Sequence, residues 1–110
     1  MTDAADARAS LDRAQTLLEQ VNRDAARFDE FLAWLADADA RVRRLDAYHR
    51  GQGQADTAAV LAADDEAVTP PVANEDSVWE AVVDFDERMR RLLRVVTGSL
   101  TATLDEPAAE

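Results

Sequence analysis

Between Leu11 and Leu35 the apolar residues recur at alternating steps of three and four: Leu11, Ala14, Leu18, Val21, Ala25, Phe28, Leu32 and Leu35. A helix turns once every 3.6 residues, so this spacing sets all eight on one line, the seam of a heptad repeat. Val78, Val82, Phe85, Met89, Leu92 and Val96 repeat the pattern near the other end and predict a second long helix over about 77–104. Leu17, Phe31 and Trp34 lie beside the first seam and widen it past what one partner helix covers. A third helix or a second subunit is therefore expected to share that face.

The first seam slips beyond Leu35, because its continuation meets Asp39 and Asp46. A one-step re-phasing recovers Leu35, Ala38, Val42, Leu45 and Tyr48. Such a shift implies altered winding or a kink, and a break or bend near residues 36–40 is expected. An unbroken helix from about Asp3 to His49 would reach roughly 70 Å at 1.5 Å per residue. Gly51-Gln52-Gly53 should end this half of the chain with a glycine in the left-handed conformation. A short helix from Asp56 or Thr57 to about Ala67 follows, with Val60, Leu61 and Val68 turned inward, and Thr69-Pro70-Pro71 stops it. Val72 then approaches the core. Asn74 is the expected N-cap of the last helix, with Glu75 and Asp76 complementing the dipole in its first turn. Ser77 with Glu80 forms a competing capping box, and Gly98 is a point of fraying or bending.

These elements predict an all-α fold: a three- to four-helix bundle with two long antiparallel helices and a short connecting helix. Residues 1–104 form a single domain, and residues 105–110 a disordered tail. The length of 110 residues suits one modest core. The net charge of −11 argues against a nucleic-acid or anionic-membrane surface, both of which need basic footprints. All twelve basic residues are arginine. The absence of cysteine excludes disulfides and thiolate metal sites. The first residues lack the basic and apolar regions of a signal peptide, and no apolar run reaches the roughly 20 residues that span a bilayer. A cytoplasmic location is expected.

Candidate chemistry is sparse. Asp76, Glu80, Asp84 and Glu87 run along the last helix at steps of four, four and three. Carboxylates so spaced can hold Mg²⁺ or Mn²⁺, as in helical nucleotide pyrophosphohydrolases, but the Glu-x-x-Glu partner helix of those enzymes is missing. A solvated acidic face accounts for them more simply. His49 is the chain's single histidine, so imidazole clustering cannot build a metal site. It can serve as a base beside a carboxylate, or close the helix it ends. Trp34, Tyr48 and Trp79 are expected in the core with their polar atoms at the surface, the alternative being an exposed recognition patch. Arg41, Arg43, Arg44 and the Arg88–Arg94 cluster read as partners for neighbouring acids.

Leu45-Asp46-Ala47-Tyr48-His49, followed by Val72-Ala73-Asn74-Glu75-Asp76-Ser77-Val78-Trp79, resembles a family of small helical bacterial proteins of unknown function. Members carry a Leu-x-x-Tyr-Tyr motif after a long helix. A proline-containing turn and a Val-Leu-Ser-Glu-Asp-x-Val/Ile-Tyr/Trp motif come later. His49 stands here for the second tyrosine, Asn74-Glu75-Asp76 for Ser-Glu-Asp, and Ala73 for leucine. The likeness spans residues 10–95 and implies an all-α fold with no assigned chemistry. Helix-cap and motif positions are thus Tyr48, His49, Asn74, Glu75, Asp76 and Trp79.

The function expected is a protein-interaction module that forms a homodimer or binds another protein, without catalysis or cofactor. The alternatives are a metal-dependent nucleotide pyrophosphohydrolase using Asp76, Glu80, Asp84 and Glu87, and an acidic protein that imitates DNA.

Overall fold

The computed structural model describes residues 3–105, and every regular element among them is helical. Helix α1 spans Ala4–Arg50, α2 spans Gln52–Ala63, a 3-10 turn spans Pro71–Ala73 and α3 spans Glu75–Asp105. Two compact units part after Ala40. The proposed tail from residue 106 onward lies outside the described residues, while Asp105 closes α3.

In the first unit α1 is the one element. It starts where the Ala7 N–H donates to the Asp3 carbonyl at 2.9 Å, with Asp6 in the first turn. The expected break at residues 36–40 is absent, and α1 continues for 47 residues. The reason is local: Ala36-Asp37-Ala38-Asp39-Ala40 contains neither Gly nor Pro, and three alanines are the strongest helix formers available. The slip in the apolar pattern changes which face is covered without interrupting the backbone ladder. Leu35, Val42 and Leu45 are half-buried and Ala38 is buried, as the re-phased line requires. That line then steps to His49, not Tyr48, which is 41% exposed.

The original seam is open. Leu11 is 66% exposed, and Leu18, Val21, Phe28 and Leu32 are all at least half exposed. Phe28, Phe31 and Trp34 form a ladder along one flank, with ring centroids 6.2 and 5.8 Å apart. Trp34 is 54% and Trp79 66% exposed. The expectation that Trp34, Tyr48 and Trp79 are core is corrected accordingly: each sits to one side of the line its helix covers.

The second unit joins the last turns of α1 to α2 through one residue. The Gly51 N–H donates to the carbonyls of Ala47 and Tyr48, at 3.1 and 3.2 Å, and closes α1. No described glycine has positive φ, so the expected left-handed cap does not form. Gly51 lies at φ −112° and ψ −101°, and α2 starts directly after it. Gly53 is favoured for a different reason. It is buried, and a Cβ there would lie 3.0 Å from the Tyr48 carbonyl oxygen and 3.1 Å from its ring.

Helix α2 ends at Ala63, four residues earlier than the expected Ala67. The Asp64 side chain accepts the Glu66 N–H at 3.0 Å, an aspartate turn that competes with helix continuation. Val68 consequently lies outside the helix and is 96% exposed, and Val60 and Leu61 are also exposed, not inward as expected. Proline then shapes the 3-10 turn, with Pro71 at its first position.

At the start of α3, Asn74 Oδ1 accepts the Asp76 N–H at 2.9 Å, so the cap is Asn74 and not Ser77. The stripe on α3 has the predicted phase as far as Leu92: Val78 is 3% exposed, and Val82, Phe85, Met89 and Leu92 are half-buried, whereas Val96, expected to continue it, is exposed. The helix runs on through Gly98, whose surroundings are open.

Candidate functional site

The residues that carry the resemblance come together in the second unit. Tyr48 and His49 occupy the last turn of α1, one turn from Gly51, and their backbone is held by the ladder that ends there. The Tyr48 hydroxyl donates to Asp56 Oδ2 at 2.7 Å. Gln52 Nε2 donates to Asp56 Oδ1 at 2.8 Å. Asp56 thus receives a donor on each oxygen, Gln52 foremost, and its carboxyl is held below the usual carboxylate value. The same bond retains the tyrosine proton, and the Tyr48 hydroxyl is held above its ordinary value, first by the Asp56 hydrogen bond and then by partial burial. Thr57 Oγ1 donates to the Gly53 carbonyl at 2.9 Å and ties the first turn of α2 together.

Arg50 reaches back to Asp46 in a two-point contact, Nε at 3.2 Å and Nη2 at 3.0 Å from the two oxygens. Two open concavities meet at His49 and Glu75. One, of about 700 Å³, is lined by Asp46, Arg50, Asp76, Val78 and Trp79 among others. The other, of about 610 Å³, is lined by Gly53, Thr57, Leu61, Val72 and Asn74 among others. His49 is half-buried between them.

The acidic ridge divides. Asp76 lines the first concavity, whereas Glu80, Asp84 and Glu87 are exposed along α3 and do not line it. Among the described residues no three His, Cys, Asp or Glu side chains gather closely enough to hold a metal ion. Arg90 pairs with Asp86 at 2.7 Å, and Arg88 donates to the Asp84 carbonyl at 3.0 Å, so these two arginines answer neighbours one turn away on their own helix. Arg90 is held above its ordinary value by that Asp86 contact. Among the described residues no helix is long and apolar enough to cross a membrane.

Asp56 and Gln52 were not legible as site residues in the sequence. The available signal was the Gly51-Gln52-Gly53 run itself: two glycines between helical stretches permit a junction tight enough to bring position 56 against position 48. Comparison with protein-family models, characterised proteins and solved structures finds no match to this chain.

Proposed function

We propose that this protein is a non-enzymatic helical interaction module of the cytoplasm, that it associates with itself, and that it is related to the small helical family its motifs resemble. The observation that supports this reading is the α1 seam, where Leu11, Leu18, Val21, Phe28 and Leu32 stand in one line and each is at least half exposed. Isolated surface leucines are ordinary, but a contiguous apolar stripe marks a surface that another molecule covers. A helix with nothing packed on its apolar face gains little beyond its own ladder, because helical stability in proteins comes mainly from burial of that face. The three- to four-helix bundle with antiparallel long helices belongs to this reading as the assembled state, in which the α1 seam and the α3 stripe are both covered.

Sedimentation equilibrium of the full chain over a range of micromolar concentrations tests the proposal. A mass of two chains is expected, and a monomer throughout overturns self-association.

A further inference from the structure

Heptad register along α1 puts Ala4, Leu11, Leu18, Ala25 and Leu32 at the first core position, and Ala7, Ala14, Val21, Phe28 and Leu35 at the second. The flanking positions that set orientation then hold Arg8, Gln15, Asn22 and Asp29 on one side, and Asp3, Ser10, Leu17, Asp24 and Phe31 on the other. Orientation follows from which of these would meet.

In a parallel pair each residue of the second flank faces the residue five positions on in the other chain. Asp3 would meet Arg8, but Asp24 would meet Asp29, twice by symmetry. Like residues would also stack, giving two successive alanine layers at Ala4 and Ala7 and, further along, an alanine layer at Ala25 beside a layer of two phenylalanines at Phe28. In an antiparallel pair each flank faces itself. With the two seams overlapped from end to end, Arg8 faces the partner's Asp29 and Gln15 faces the partner's Asn22, each pair occurring twice. The like-charge contact vanishes. At both ends small then meets large, Ala4 against the partner's Leu35 and Ala7 against the partner's Leu32, while Leu11 lies against the partner's Phe28 and Ala14 against the partner's Ala25.

The end-to-end register also stops where the face changes. The seam ends at Leu35, Ala38 and Val42 continue on the re-phased line, and the first unit ends at Ala40. A partner helix beginning at its own Ala4 covers the seam fully and extends no further along it. Arg8 lies 3.6 Å from Asp12 on its own helix, an exposed contact that leaves its remaining donors available to a second carboxylate.

We infer that the occupant of this face is a second copy of the chain, its α1 antiparallel to the first and centred between Leu18 and Val21. The inference rests on the self-association proposed above and adds orientation and register to it.

The natural chain contains no cysteine, so introduced thiols report position without background. In this register Ala14 faces the partner's Ala25, and both substitutions to cysteine are small. A mixture of Ala14→Cys and Ala25→Cys chains should form a disulfide-linked heterodimer on mild oxidation. Either variant alone should not, because its two thiols would lie about 16 Å apart along the axis. Separately, Arg8→Glu should raise the dimer dissociation constant on the order of tenfold, and adding Asp29→Arg should restore it. Rapid cross-linking of Ala14→Cys with itself means a parallel pair and overturns the inference. A dimer by sedimentation in which the mixture fails to cross-link overturns the register while leaving self-association standing. A monomer by sedimentation, whether its seam is covered by its own α3 or awaits a different protein, overturns both.

Discussion

Two glycines within helices of this chain should respond to alanine in opposite directions. Replacing a helical glycine by alanine ordinarily gains up to about 1 kcal/mol, because alanine loses less backbone freedom on folding. Gly98, in α3, has no heavy atom within 4 Å of where a Cβ would stand. Gly98→Ala should therefore realise most of that gain. At Gly53 the same Cβ meets the Tyr48 carbonyl oxygen at 3.0 Å and the Tyr48 ring at 3.1 Å. The carbonyl belongs to the last turn of α1 and cannot retreat freely, and the ring is held by its 2.7 Å bond to Asp56. Overpacking of this kind costs about 1–3 kcal/mol, which exceeds the propensity gain and leaves Gly53→Ala about 1 kcal/mol less stable. Urea unfolding followed by far-ultraviolet circular dichroism measures both. A second readout is specific to the contact: if the ring is pushed from Asp56, the single tyrosine of the chain titrates closer to its ordinary value in Gly53→Ala. Equal stabilisation by the two substitutions, with the tyrosine titration unchanged, would refute the assigned packing of Gly53 on Tyr48.

The Tyr48–Asp56 bond predicts a pH dependence at both ends. Asp56 has a lowered folded pKa, so its contribution is complete above the ordinary carboxylate range and is lost as pH falls through the folded value. Tyr48 has a raised one, so its contribution is complete below about pH 10 and is lost as pH rises through the folded value. Asp56→Ala should return the tyrosine midpoint, read by ultraviolet absorbance, to the ordinary value; a midpoint that stays high would place the cause elsewhere. Val78→Ala removes two methyl-sized groups at a position 3% exposed, a transfer loss of about 1.6 kcal/mol with a cavity term added, and should cost about 2 kcal/mol in all. Val95→Ala, on the same helix but exposed, should change stability by less than about 0.5 kcal/mol; comparable urea midpoints for the two would contradict the placement of Val78.

Helix content and helix phase were legible in the sequence because both depend on neighbours three and four residues away. The Val78 to Leu92 stripe, the Asn74 cap and the re-phased line through Ala38 and Val42 follow from spacing and from the hydrogen-bonding habits of single side chains. The helix runs unbroken across residues 36–40 because a shift in the apolar pattern there is not a shift in the backbone ladder. Alanine and aspartate there have no reason to leave the helix, and the pattern records only which face is covered. Inward placement of Trp34, Tyr48, Trp79 and Val68 could not be read from spacing, since a large side chain beside a seam is covered only if another element arrives there. The contacts across Gly51 belong to the tertiary structure alone. Tyr48 meets Asp56, and Gly53 passes beneath the Tyr48 ring, because one non-helical residue turns α2 back onto the last turn of α1. Local propensity fixes where helices run, whereas the meeting of residues eight apart across a junction depends on the direction the chain takes after it.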